Sequence, residues 1–242
     1  MDSEHFSIWY GSRDRTIANI SKVYLTASGG PFLKKKIKKL NLVNISTAIK
    51  HPNWKMGKKI SIDSATLMNK VFEVIEARNI FNLPLKKLSI LIHPKSYIHA
   101  IIKFKNGLIK IIAHDTTMEI PIFNSLYLKN EKAFKSNQVN LNLLNNLELQ
   151  PVDKKRFSVI KILDKLNNQN TLFETVLVSA NDTFVNLFLN KRIKFNDISK
   201  FLIKFLDTNE FKKYKKIYPK NVNDILKLNN YVRLKIISKV YK

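Results

Sequence analysis

Five glycines in 242 residues, at Gly11, Gly29, Gly30, Gly57 and Gly107, set the tightest limit on what this chain can form. Average usage of about 7% would give roughly three times as many. Neither a G-x-G-x-x-G turn nor a G-x-x-x-x-G-K-[ST] phosphate loop can be written from these positions, so the chain carries no Gly-rich dinucleotide fingerprint of its own. Cysteine is absent, which removes disulfides, thiolate metal sites and cysteine nucleophiles. With 45% hydrophobic and 25% charged residues the composition is globular. The length suits one large domain or two smaller ones. No apolar run reaches the roughly 20 residues needed to span a bilayer. The start, Met1-Asp2-Ser3-Glu4-His5, is acidic with no apolar core behind it, unlike a secretory signal. A cytoplasmic protein with no membrane partner is the expectation.

The formal net charge is +25, from 43 Lys plus Arg against 18 Asp plus Glu. Such a charge attracts phosphate esters, nucleic acid or anionic lipid. The excess is almost all Lys, however, and it accompanies abundant Asn and Ile, the signature of a genome drifting toward A and T. The aromatic residues do not interleave with the basic ones as a stacking platform requires. A nucleic-acid partner is therefore not expected, although a basic nucleic-acid binder stands as an alternative.

Along the chain, Val23 to Thr26 reads as a strand entering a tight Ser28-Gly29-Gly30-Pro31 turn, followed by a basic helix from Leu33 to Leu40. Lys50 to Lys59 is a polar loop. Asp63-Ser64 reads as a helix start and Ala65 to Phe81 as its body, ended by Asn82 and Pro84. Strand-like runs cover Leu88 to His93, Tyr97 to Phe104 and Leu108 to His114, the last two joined by a Lys105-Asn106-Gly107 hairpin signal. Pro121 to Leu128 suits a helix. Helical patterns follow at about 157–167, 171–190, 195–206 and 222–239. The expected fold is α+β: a central catalytic domain over 1–128 with a small mixed or antiparallel sheet and helices, a connecting segment over 129–153, and a C-terminal helical domain over 154–242.

Four constellations could carry chemistry. Asp2 and Glu4, read as i and i+2 on an extended segment, would point to one side. With a third oxygen they suit Mg²⁺ or Mn²⁺, and without one they are ordinary solvated acids. Asn69, Lys70 and Glu73 share one face of the expected helix. With Ser64 as its cap, that helix start is either a phosphate site beside a metal-facing Glu73 or an ordinary amphipathic surface. Adjacent glycines at Gly29-Gly30 can turn N–H groups inward as an anion nest, or simply make a turn. The segment His51-Pro52-Asn53-Trp54-Lys55-Met56-Gly57 is either a lid over a ligand or a loop pinned by its aromatic residue.

Taken in order, Asp-Ser-Glu-His (2–5), Thr-Ala-Ser-Gly-Gly-Pro-Phe (26–32), His-Pro-Asn-Trp-Lys-Met-Gly (51–57), Ser-Ile-Asp-Ser-Ala-Thr-Leu-Met-Asn-Lys (61–70) and Leu-Ile-His-Pro-Lys-Ser (91–96) resemble the central part of the 1-deoxy-D-xylulose 5-phosphate reductoisomerases. The resemblance is strongest over about residues 2–120 and continues through Ser179-Ala180-Asn181-Asp182, where the family has Asn-Glu. It implies NADPH- and divalent-metal-dependent conversion of 1-deoxy-D-xylulose 5-phosphate to 2-C-methyl-D-erythritol 4-phosphate, in isoprenoid-precursor synthesis by the non-mevalonate pathway. Asp2, Glu4 and Glu73 match the metal ligands, for Mg²⁺ or Mn²⁺. Ser3 matches the serine between the first two, beside the substrate. Ser28, Ser64, Asn69 and Lys70 match residues holding the substrate's phosphate and hydroxyl groups. His51, Trp54 and Met56 match the loop that closes over it. His99 and Met118 match positions lining the site, Met118 toward the nucleotide cofactor. The resemblance also implies a homodimer, for which segment 88–115 is a plausible contact. Members begin with a nucleotide-binding domain of their own, so for a chain starting at the acidic motif a truncated record, a split gene with the nucleotide domain on a separate chain, and a decaying gene are the alternatives. A non-catalytic sugar-phosphate-binding fragment is the other reading.

Overall fold

The computed structural model describes residues 2–128 and 132–240. Residues 129–131 of the expected connecting segment, and residues 1, 241 and 242 at the ends of the expected domains, lie outside the described residues. In chain order the elements are α1 (Ser3–Ser12), β1 (Ile20–Ala27), α2 (Ile45–Ala48), α3 (Lys58–Thr66), α4 (Met68–Phe81), β2 (Leu88–Ile92), β3 (Ile98–Phe104), β4 (Ile109–Ala113), α5 (Glu119–Leu126), α6 (Leu141–Asn145), β5 (Gln150–Pro151), α7 (Leu172–Leu189), α8 (Phe195–Leu206), α9 (Asn209–Lys212) and α10 (Val222–Val240). The α+β class expected from the sequence is what forms. The chain divides into two units: residues 1–30, 51–55 and 69–153 make the first, and 31–50, 56–68 and 154–242 the second. Residues 31–50 and 56–68, expected in the central domain, instead group with the C-terminal helices.

The first unit is built on a mixed five-stranded sheet in the order β4-β3-β1-β2-β5. β1 runs parallel to β2, with Val23 opposite Leu88 and Ala27 opposite Ile92, and antiparallel to β3. β1 is the central strand, and Ile20, Val23 and Leu25 on it are fully buried. The β3–β4 hairpin closes at Gly107, whose φ of +88° is the left-handed value the turn needs. α1 lies across β3 and β4, and it comes so close at Gly11 that an added Cβ would stand 2.8 Å from Ile102 Cδ1.

The second unit is organised around α7, flanked by α8 and α10. α7 is, among the described residues, a helix long and apolar enough to cross a membrane, but two-thirds of it is buried in this unit, the mark of a core helix. Phe184, Phe205 and Phe211 interlock beside it. Its start is a capping box: Thr171 Oγ1 accepts the Phe173 N–H (3.3 Å), while Glu174 Oε2 accepts the Thr171 N–H (2.9 Å). Thr171→Ala is expected to lower stability by about 1 kcal/mol, and Thr171→Ser to keep most of it. Urea denaturation of the two variants checks this, and equal losses would remove the hydroxyl from the cap.

Several elements differ from the sequence expectation, for local reasons. The basic helix at 33–40 is a turn followed by a 3-10 helix, Ile37–Leu42. Lys34–Lys38 and Lys35–Lys39 would face each other one turn apart in an α-helix, and like charges there repel. The pattern at 157–167 is also a 3-10 helix, Ser158–Lys165. The connecting segment contains α6 and β5. Asp2-Ser3-Glu4 is not extended: Asp2 is the N-cap of α1, and Ser3 and Glu4 begin the helix. Phe6 and Ile8 bury on that helix, and Glu4 lies in its first turn, where a carboxylate complements the helix dipole. The helix expected from Ala65 to Phe81 is two helices, α3 and α4, broken at Leu67 (φ 68°). A left-handed leucine costs about 1–2 kcal/mol. Leu67 is 1% exposed, and burying its side chain returns a similar amount. Ser64 therefore caps nothing; its carbonyl accepts the Leu67 N–H at the end of α3.

Candidate functional site

In the first unit, α1 and α4 bring two carboxylates onto one ammonium group. Lys70 Nζ lies 2.5 Å from Glu4 Oε1 and 2.6 Å from Glu73 Oε2. Lys70 is 3% exposed and Glu73 6%. Ser3 Oγ donates to Glu4 Oε2 (2.8 Å), and Asn69 Nδ2 donates to Glu73 Oε1 (3.1 Å). His5 Nε2 donates to the Glu73 carbonyl oxygen (2.9 Å), tying α1 to α4. Burial opposes ionisation of Glu4, but the Lys70 ammonium beside it, with help from His99 and Ser3, holds its carboxyl down to about 2. Burial and the Glu4 carboxylate push Glu73 well above the usual carboxylate range. Lys70 is raised, its desolvation outweighed by the two carboxylates.

The donor set fits a hard divalent cation. Two carboxylates, Glu73 buried and Glu4 partly so, share one ammonium, which leaves one negative charge over if both ionise, and the buried Asn69 Oδ1 beside them accepts no hydrogen bond. Asp2, expected to complete the set, also approaches His5. Its carboxylate lies 3.8 Å from His5 Nδ1, and Glu76 Oε2 lies 3.6 Å from the same nitrogen. Asp2, His5 and Glu76 thus form a separate group of possible ligand atoms.

The second cluster surrounds the Ser28 turn. His51 Nδ1 accepts two backbone N–H groups, from Asn53 (3.2 Å) and Trp54 (3.0 Å). In the neutral ring the proton is then on Nε2, which donates to Ser28 Oγ (3.0 Å). Ser28 Oγ also accepts the Gly30 N–H (3.1 Å), so its own hydrogen is left for a further acceptor. Burial, and to a lesser extent Lys70, lower His51 to about 4, which keeps it neutral near pH 7. Gly29 and Gly30 both have left-handed φ, 80° and 66°, which lets the Gly30 N–H turn back onto the serine. The His51 loop is pinned less by its aromatic residue than by Asn53, whose Nδ2 donates to Pro94 O (2.8 Å) and Ser96 Oγ (2.7 Å).

The Trp54 ring stands edge-on to His99 (centroids 6.4 Å apart), and His99 stacks on His114 at 3.8 Å. His99 Nε2 donates to the His114 carbonyl oxygen (3.2 Å). Burial, then the neighbouring His114, lower His99 to about 4. Unfolded, it would titrate near its ordinary 6.5, so between those values the unfolded chain binds more protons. Stability therefore falls as pH drops through 6.5 toward 4, by about 2 kcal/mol at pH 4.5 relative to pH 7. Urea denaturation at both pH values, beside His99→Phe, checks this; an unchanged slope in the variant would rule out His99 as the source.

Of the residues singled out in the sequence, Ser3, Glu4, Asn69, Lys70 and Glu73 form one hydrogen-bonded cluster, and Ser28 and His51 another. Trp54 joins His99. Met118 is the N-cap of α5, outside both clusters, and Ser64 and Met56 belong to the second unit. The sequence reading missed Glu76, Asn53, Ser96 and His114. Glu76 sits three residues after Glu73 on α4, a spacing that could have drawn attention to it. His114 has no sequence signal, since its stacking on His99 follows from the β3–β4 register.

Residues 1–81 match the family model described as 1-deoxy-D-xylulose 5-phosphate reductoisomerase C-terminal domain, and 115–235 match that described as DXP reductoisomerase C-terminal domain. The chain is 58% identical over 238 residues to the 1-deoxy-D-xylulose 5-phosphate reductoisomerase of Pelagibacter ubique, and 35% identical to that of Aquifex aeolicus. Both alignments cover 98% of this chain and 61% of the relative, so the chain spans about three-fifths of these curated relatives. A crystal structure of DOX-P reductoisomerase with NADPH, fosmidomycin and magnesium superposes with a TM-score of 0.88 at 30% identity, over 99% of this chain and 62% of that one. The Zymomonas mobilis enzyme with NADPH gives 0.84 at 30% identity, over 99% and 60%. Family models on both halves of the chain and relatives along nearly all of it lead to one conclusion: the chain belongs to the 1-deoxy-D-xylulose 5-phosphate reductoisomerase family.

Proposed function

We propose that this chain supplies the substrate- and metal-binding part of an NADPH-dependent 1-deoxy-D-xylulose 5-phosphate reductoisomerase, which forms 2-C-methyl-D-erythritol 4-phosphate. The observation that carries the reading is the buried Glu4–Lys70–Glu73 cluster with its surplus carboxylate. A divalent metal ion held by Glu4 and Glu73, with Asp2 as the resemblance implies, would act as a Lewis acid on the substrate's carbonyl. NADPH would provide the hydride. The chain's own residues bind and orient the substrate. Lys70 donates to Glu4 and is ion-paired with Glu73, and an ammonium with three donors can also bind a phosphate or hydroxyl oxygen. The Ser28 hydroxyl, its acceptor side used by His51 and Gly30, donates outward to an anion. Asn69 holds Glu73 in place. Binding the remote phosphate in this way positions the reacting carbons. Trp54, stacked edge-on over His99, would help exclude water. The resemblance adds Ser64 to the phosphate ligands and Met56 to the closing loop. For the homodimer it implies, support comes from the edge strand β4, which leaves Ile109 and Ile111 about half exposed.

The test is calorimetric titration with 1-deoxy-D-xylulose 5-phosphate, with and without Mn²⁺, beside Glu73→Gln. Metal-dependent binding that disappears in the variant is expected. A folded chain that binds no substrate with Mn²⁺ present would overturn the reading. Binding that survives Glu73→Gln and ignores Mn²⁺ would favour a plain sugar-phosphate binder.

A further inference from the structure

The second unit contains a cavity of about 390 Å³, which is within the usual range for small-molecule sites. Its inner wall is apolar: Phe32, Leu40, Phe157 and Phe195 line it, and each is nearly fully buried. Phe32 and Phe195 meet edge to face at 5.1 Å, which fixes the wall. The mouth is basic. Lys155, Arg156 and Lys200 are among the lining residues, and no carboxylate is. The Arg156 guanidinium donates to the carbonyl oxygens of Phe32 (2.9 Å) and Lys35 (2.7 Å), so the turn carrying Phe32 is strapped to the segment leading into Phe157. The cavity is thus a built space with an apolar floor and a rim of a single charge sign, and all of it lies within one unit.

We propose that this cavity binds a small anionic amphiphile, a molecule with an apolar chain of a few carbons and a phosphate or carboxylate head. The chain would lie against the phenylalanine floor and the head would face the lysines at the mouth. The site does not depend on the activity proposed above: none of its lining residues belongs to the Glu4–Lys70–Glu73 or Ser28–His51 clusters. Ala65 and Thr66 of α3 also line it, so an occupant would touch the helix that carries Ser64.

The probe is hexyl phosphate, which has the head and a chain short enough to stay monomeric, titrated into the chain with isotope-labelled methyl groups. Saturable shifts at Leu40 and Ile203 are expected. Hexanol and inorganic phosphate should each bind at least about tenfold more weakly, since each forfeits one half of the recognition. Hexanoate distinguishes a carboxylate head from a phosphate one. Lys200→Glu, an exposed charge reversal that should not disturb folding, should weaken binding about fivefold, as expected for a rim charge. Ser199→Phe, which fills the space, should abolish it. The proposal fails if the lining methyls do not shift. It also fails if inorganic phosphate binds as well as hexyl phosphate, which would mean only a basic surface, or if neither variant changes the affinity.

Discussion

Lys70→Met is expected to destabilise the first unit by about 3–5 kcal/mol at neutral pH, the usual cost of removing one partner from a buried ion pair. The ammonium it removes is 3% exposed and touches two carboxylates. Without it, the part-buried Glu4 and the buried Glu73 are left uncompensated. Protonating either carboxyl removes the repulsion, so the loss should shrink as the pH is lowered. Lys70→Met/Glu73→Gln should recover a large part of the stability, because only one carboxylate then remains. Urea denaturation of the single and double variants measures this. A single variant within 1 kcal/mol of the parent would mean that the carboxylates are not both held against Lys70. Added Mn²⁺ should stabilise the parent, and more so the Lys70→Met variant, if the same oxygens accept a cation.

In the second unit the largest expected loss comes from Phe211→Ala, about 3–5 kcal/mol for deleting a buried phenylalanine. Phe211 is fully buried, stacks on Phe205 with centroids 4.2 Å apart, and stands 6.2 Å from Tyr231 on α10. Phe211→Leu, which keeps most of the volume, should cost less than about 1.5 kcal/mol. Thermal denaturation of the pair is the measurement. If both variants lose equally, the ring stacking rather than the filled volume supplies the stability.

Much of the site was legible because it is local. Asn69, Lys70 and Glu73 share a helix face by spacing alone, and the Ser28-Gly29-Gly30 turn follows from glycines able to take positive φ. The two longest C-terminal helices lie close to where hydrophobic periodicity places them, at Leu172–Leu189 and Val222–Val240. The errors fall where a long-range contact overrides a local preference. Ser64 looks like a helix cap until Leu67, drawn into the interior, breaks the helix three residues later. Asp2 and Glu4 read as an extended pair, but α1 forms there, with Asp2 as its N-cap and Glu4 in its first turn.

The sequence by itself determined the α+β class, the strand at Val23 to Thr26 and the glycine turn that follows it. These follow from composition, periodicity and short motifs, all of which act over a few residues. Only the tertiary structure decided which groups meet. It set Lys70 between Glu4 and Glu73, 66 and three residues away along the chain. It stacked His114 on His99 through the hairpin register, and gathered residues 31–50 and 56–68 onto the C-terminal helices. Packing then separated two chemically identical carboxyls: the Lys70 ammonium holds Glu4 ionised, while burial and the Glu4 charge drive Glu73 toward its neutral form. That difference comes from desolvation and the position of one ammonium, and both exist only after the chain has packed.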